Sequence, residues 1–263
     1  MAKQKTAPPL EQNPYVKELL DVLKKYNPPG AEDLQGMIAN AAKIEQQLDA
    51  ALAEMAIMRR ELATIREDNH PMRNSLQNAV NAVQERIQAL REQLETLKAS
   101  IIEGCKNALA DFKERGTAAL NGIAKFFHVK PAFEAIAKSC DEAAKANLQS
   151  INKIERISKE YHKTGQHLSN IGRAITGKEL LPSAKPVGKV AKAVEAPVKA
   201  VRTCNLAMRN AARKAVKSLS RLEKAAERPK PMKEQLDTAA KQAAAHNTRK
   251  TPEKSKTAPA AEL

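Results

Sequence analysis

Gly172-Arg173-Ala174-Ile175-Thr176-Gly177-Lys178-Glu179 comes within one residue of a phosphate-cradling loop. Such a loop needs Ser or Thr after its Lys, to hold Mg²⁺, and a strand before it. Here Glu179 stands after the Lys, where its carboxylate repels phosphate, and the preceding residues have helical spacing. The segment reads as a Gly-rich helix end. The histidines are His70, His128, His162, His167 and His246. His162 and His167 lie about 140° apart on a helix, not on one face as a zinc helix requires. Only Glu67 has a His three residues on, His70, whereas a di-iron bundle needs two such pairs. No G-x-S-x-G nucleophile turn occurs. Cys105, Cys140 and Cys204 are far apart and form no C-x-x-C, so they read as reduced thiols that pack as small hydrophobes. The expectation is a chain without catalytic residues, metal ligands, cofactor or small-molecule substrate: not an enzyme.

The remaining chemistry is cationic. Residues 1–130 hold 18 Lys+Arg and 17 Asp+Glu, whereas residues 131–263 hold 27 and 13, so nearly all of the +15 charge lies in the second half. Between Pro182 and Lys233 the net is +11. The candidate contact residues are Lys185, Lys189, Lys192, Lys199, Arg202, Arg209, Arg213, Lys214, Lys217, Arg221 and Lys224. Lys185, Lys192 and Lys199 recur every seven residues, as do Arg202 and Arg209, and seven residues is two helical turns. Such side chains displace counterions from a DNA or RNA backbone without reading sequence. No aromatic residue follows Tyr161, so bases have nothing to stack on. Two other readings stay open. The segment could lie on an anionic membrane with its valines down, or be only a solvated helix face.

The elements that carry these residues are helical. Aromatics are 3% of the chain, with no Trp, too few for a sheet-based core. Aliphatic content is ordinary, which argues against bulk disorder. The clearest periodicity is a heptad run. Its a positions are Leu34, Ala41, Leu48, Met55 and Leu62, and its d positions are Met37, Ile44, Ala51, Met58 and Ile65. Asp68-Asn69-His70-Pro71 interrupts it, since the residue before Pro is pushed out of the α region. A second run follows through Leu76, Val80, Val83, Ile87, Leu90, Leu94, Leu97 and Ile101. If the chain reverses near Pro71, Glu54 falls opposite Arg86, which favours a hairpin. A parallel homodimer sets Arg86 against Arg91 of the other copy. The seam's partner is therefore a helix of this chain, a second copy or another protein.

Asn13-Pro14 reads as a helix cap and first turn, and Asn27-Pro28-Pro29-Gly30 as a stop. Phe112, Phe126, Phe127 and Phe133 mark a junction where helices meet. Pro131 starts a further long helix, and Pro197 should divide the basic segment into two helices. The expected fold is all-α: an elongated coiled coil or helical bundle with a basic amphipathic C-terminal region and disordered tails. Its segments are an N-terminal tail (1–12), a heptad region with the Phe-rich junction (13–130), a long helix (131–181), the basic helical segment (182–228) and a basic tail (229–263). No apolar leader follows Met1, and no run reaches the roughly 20 apolar residues of a membrane span. The expected compartment is the cytoplasm.

Several short runs carry a resemblance. They include Met58-Arg59-Arg60-Glu61-Leu62, Asn69-His70-Pro71, Gly104-Cys105-Lys106-Asn107-Ala108 and Ala119-Leu120-Asn121-Gly122. Others are Glu160-Tyr161-His162, Gly172-Arg173-Ala174, Gly177-Lys178-Glu179 and Leu222-Glu223-Lys224-Ala225-Ala226-Glu227-Arg228-Pro229. Over most of residues 14–230 the chain resembles an uncharacterised helical family of Gram-positive gut bacteria, often carried with integrative and conjugative elements. The resemblance implies a bacterial mobile-element setting and brings no catalytic residues.

Overall fold

Asn13 opens the first helix by accepting the Tyr15 N–H on its side-chain oxygen at 3.0 Å, with Pro14 in the first turn where no N–H is needed. A computed structural model describes residues 8–63, 70–176, 178–179, 181 and 189–227. Helix α1 (Pro14–Tyr26) ends at Asn27, whose backbone is left-handed (φ 38°), before the two prolines. Helices α2 (Ala31–Ala63), α3 (His70–Arg115), α4 (Lys130–Ile175) and α5 (Lys189–Glu227) follow, with 3₁₀ turns at Leu10–Gln12 and Gly116–Phe126. Among the described residues there is no strand, and the architecture is an all-α bundle. The packing described below lies within the unit Met1–Ala226.

Both heptad runs face inward. Leu34, Met37, Ala41, Ile44, Leu48, Ala51, Met55, Met58 and Leu62 of α2 are buried. So are Leu76, Val80, Val83, Ile87, Leu90, Leu94, Leu97 and Ile101 of α3. Ile65 lies outside the described residues. The helices of the seam belong to one chain and run antiparallel, tied by Glu45 and Lys98. The Glu54–Arg86 contact expected of this hairpin does not form. Arg86 instead donates to the Ala82 carbonyl of its own helix at 3.3 Å, and Glu54 lies on the α5 side, near Cys204. The α2–α3 pairing rests on the apolar seam and the Glu45–Lys98 pair.

The remaining sides close in the same antiparallel manner. Gln93 of α3 donates to Ser139 of α4 at 3.1 Å. Lys130 and Arg209 bridge α4 and α5, to Glu223 at 2.7 Å and Asp141 at 2.9 Å. Arg221 of α5 reaches Asp33 of α2 at 2.7 Å. The four long helices thus form a ring in the order α2, α3, α4, α5, with an up-down-up-down course. Helix α1 packs on α3 through the buried Val16, Leu19 and Leu23, where Tyr26 and Phe112 rings meet at 5.5 Å.

The Phe-rich segment forms the α3–α4 corner, with Phe127 and Phe133 buried and Phe112 and Phe126 half-buried. Gly104 lets this corner close. A Cβ there would stand 2.7 Å from the Phe126 carbonyl and 2.9 Å from the Phe127 ring. Gly30, at φ 83°, similarly admits Leu222 from the end of α5.

Helix α5 corrects one expectation: it is continuous through Pro197. Proline removes an N–H and frees the Ala193 carbonyl, at a cost of about 3 kcal/mol. Val194, Val198 and Val201 on either side are fully buried, at roughly 1.5 kcal/mol or more each, so packing outweighs the local defect. Residues 1–7, 182–188 and 228–263 lie outside the described residues, whereas the end of the expected N-terminal tail is ordered, with Leu10 buried in a 3₁₀ turn.

Candidate nucleic-acid interface

Helix α5 divides cleanly into two faces. Val194, Val198, Val201, Met208, Ala212, Ala215, Leu219 and Leu222 are buried and fall within one half of the helix circumference. Lys192, Lys199, Arg213, Lys214, Lys217, Arg221 and Lys224 are exposed and fall within about 100° of arc on the opposite side. From Lys192 to Lys224 this stripe is about 48 Å long. The bundle therefore turns one face of α5 inward and leaves its cations outward.

The candidate cations separate into two groups. Some hold intramolecular partners: Lys199 with Glu195, Arg209 with Asp141 and Arg221 with Asp33. The hydrogen bond that Lys199 donates to Glu195 raises the Lys199 pKa, and hydrogen bonds from Lys145 and Arg209 lower Asp141 from 3.8 to about 2. Such partly exposed pairs contribute little and can be exchanged for phosphate oxygens. Lys192, Arg213, Lys214, Lys217 and Lys224 are exposed and have no salt bridge among the described residues. Arg202 is half-buried, and its Nε has no hydrogen-bond partner. Lys189 lies in the first turn of α5, and Lys185 is outside the described residues.

The face continues across the α4–α5 groove, a cleft of about 510 Å³ that includes Lys138, Lys145, Arg213, Glu134 and Glu142. Its mixed charge gives no anion pocket, so the cationic character belongs to the ridge of α5. The long-range pairs Arg209–Asp141 and Arg221–Asp33 carried no sequence signal, being 68 and 188 positions apart. Lys199–Glu195, at i,i+4, could have been read directly.

The chemistry-bearing residues weighed from the sequence lie elsewhere. Gly172 to Thr176 lie at the end and cap of α4, where the Thr176 N–H bonds back to the Gly172 and Arg173 carbonyls and the Lys178 N–H to the Arg173 carbonyl. Gly177 is outside the described residues. Cys105 and Cys140 are buried, and burial pushes both thiols up to about 12. Among the described residues no cluster of His, Cys, Asp and Glu could hold a metal, and no helix is long and apolar enough to cross a membrane. Comparison with curated proteins and with solved structures finds no match. A family of unknown function, DUF6674, matches residues 12–259, and the chain belongs to that family.

Proposed function

We propose that this protein is a non-enzymatic helical-bundle interaction protein whose α5 ridge contacts nucleic-acid backbone without sequence specificity. One observation carries the reading: Lys192, Arg213, Lys214, Lys217 and Lys224 share one exposed stripe opposite the buried face of α5. A rigid cationic rod about 48 Å long matches a polymer with closely spaced phosphates. The ridge has no aromatic side chain, which favours duplex backbone over stacked single strands. The setting proposed with it is a bacterial cytoplasm and a mobile element, on the family resemblance.

Deleting the basic segment is a poor test, because α5 supplies part of the core. Changing those five cations to Gln leaves the buried face intact. Electrophoretic mobility with a generic duplex should then show weakened binding at unchanged helicity. Equal binding by the variant sinks the reading. Retention on anionic vesicles without duplex binding would assign the ridge to a membrane surface instead. Docking of an outside helix onto the heptad seam is disfavoured, since α2 and α3 close that seam within the bundle.

A further inference from the structure

We infer that the end of α4 is a self-association site that joins two copies of this chain tip to tip. The register of the bundle shows that α4 outruns its neighbours. Counting from Gln93–Ser139 and from Lys130–Glu223, the first residues of α3 and α5 lie level with about residues 162 and 164 of α4. After Ser158 no described residue of α4 is buried, and the helix continues to Ile175. This overhang carries Leu168, Ile171 and Ile175, which are 67%, 58% and 81% exposed. Their 3-4 spacing makes one stripe, the pattern of a helix that pairs with another helix.

A second copy fits this stripe for three reasons. The first is shape. An antiparallel overlap centred between Ile171 and Gly172 sets Leu168 of each copy against Ile175 of the other, and Ile171 against Gly172. Nothing stands within 4 Å of where a Cβ on Gly172 would be, nor of one on Gly165, so the contact is self-complementary and close. The second is charge. Within the paired span Leu168–Ile175 the charged residue is Arg173, which falls opposite Asn170, so no like charges face each other there. The overhang is about 18 Å long, more than two Debye lengths at physiological salt, so the basic bodies of the two copies stay apart. The third is area. Three aliphatic side chains per copy are well short of the roughly 800 Å² per partner of a stable complex, so the dimer is weak and reversible.

Sedimentation equilibrium of the nuclease-treated full-length protein tests this. The expected result is a monomer–dimer equilibrium with a Kd on the order of 100 µM. Ile171→Glu should weaken it at least about tenfold with unchanged circular dichroism, whereas Ser169→Glu, off the stripe, should leave it as it is. Should Ile171→Glu lower helicity, Gly172→Leu fills the opposing space while favouring helix, and must weaken the dimer too. A monomer up to about 1 mM, or a dimer indifferent to these stripe variants, overturns the inference.

Discussion

Lys98 of α3 and Glu45 of α2 meet at 2.6 Å with both side chains largely withdrawn from solvent. The same carboxylate accepts the Leu10 N–H at 2.9 Å, and the same ammonium donates to the Pro8 carbonyl at 3.4 Å. One ion pair therefore joins the two heptad helices and fixes the chain entering α1. Breaking such a pair from one side leaves a buried charge without its partner. Lys98→Met alone should lower unfolding free energy by about 3–5 kcal/mol in urea titrations, and the double change Lys98→Met, Glu45→Leu by much less. Equal losses in the single and double variants would contradict a paired role.

Gly104 faces the corner between α3 and α4. Its Ala variant would push a methyl group into the Phe126 carbonyl and Phe127 ring, which backbone cannot easily yield. Gly104→Ala should destabilise by about 1–3 kcal/mol although alanine favours helix. Gly165→Ala, in open space, should raise stability by up to about 1 kcal/mol. Thermal melts of the two variants check the opposite signs.

Cys105 and Cys140 are protonated through the ordinary pH range, since burial raises both from 9.0 to about 12. A thiol-reactive chromophore should therefore leave both unlabelled at pH 8 and label them after denaturation. The sign of the linkage follows. Unfolded thiols ionise above about pH 9 while the folded ones do not, so this stabilisation is present below pH 9 and lost as pH rises towards 12. Melting temperature should fall across that window, and less steeply in Cys105→Ala.

At the acid end, Asp141 works oppositely. Hydrogen bonds from Lys145 and Arg209 lower it to about 2, so its contribution is present above its ordinary 3.8 and lost as pH falls towards 2. Asp141→Asn should flatten the loss of stability in that interval. An unchanged acid profile would mean the α4–α5 pair contributes nothing there.

The heptad runs made α2 and α3 legible because a narrow apolar seam imposes a strict period on side chains. Asn13-Pro14 and Asn27-Pro28 likewise mark helix ends through local chemistry alone. Pro197 misled because local propensity argues for a break while the valines around it, buried against other helices, decide the outcome. The positions of the cations could be read from helical spacing, but their partners could not. Arg209 and Lys217 look alike in sequence, and only the α4–α5 register shows that Arg209 meets Asp141. Asn147 and Asn205 were also silent. They occupy core positions of α4 and α5, and neither Asn147 amide atom has a hydrogen-bond partner in the protein.

The salt dependence of duplex binding tests the central claim most directly. Fluorescence anisotropy from about 50 to 300 mM KCl should give a linear fall of log K against log salt. Changing Lys192, Arg213, Lys214, Lys217 and Lys224 to Gln should flatten that slope by about 4 to 5, the release expected from five phosphate contacts. Absence of binding by the unaltered protein at the lowest salt, or a slope that the five changes leave intact, would contradict the assignment of the α5 ridge.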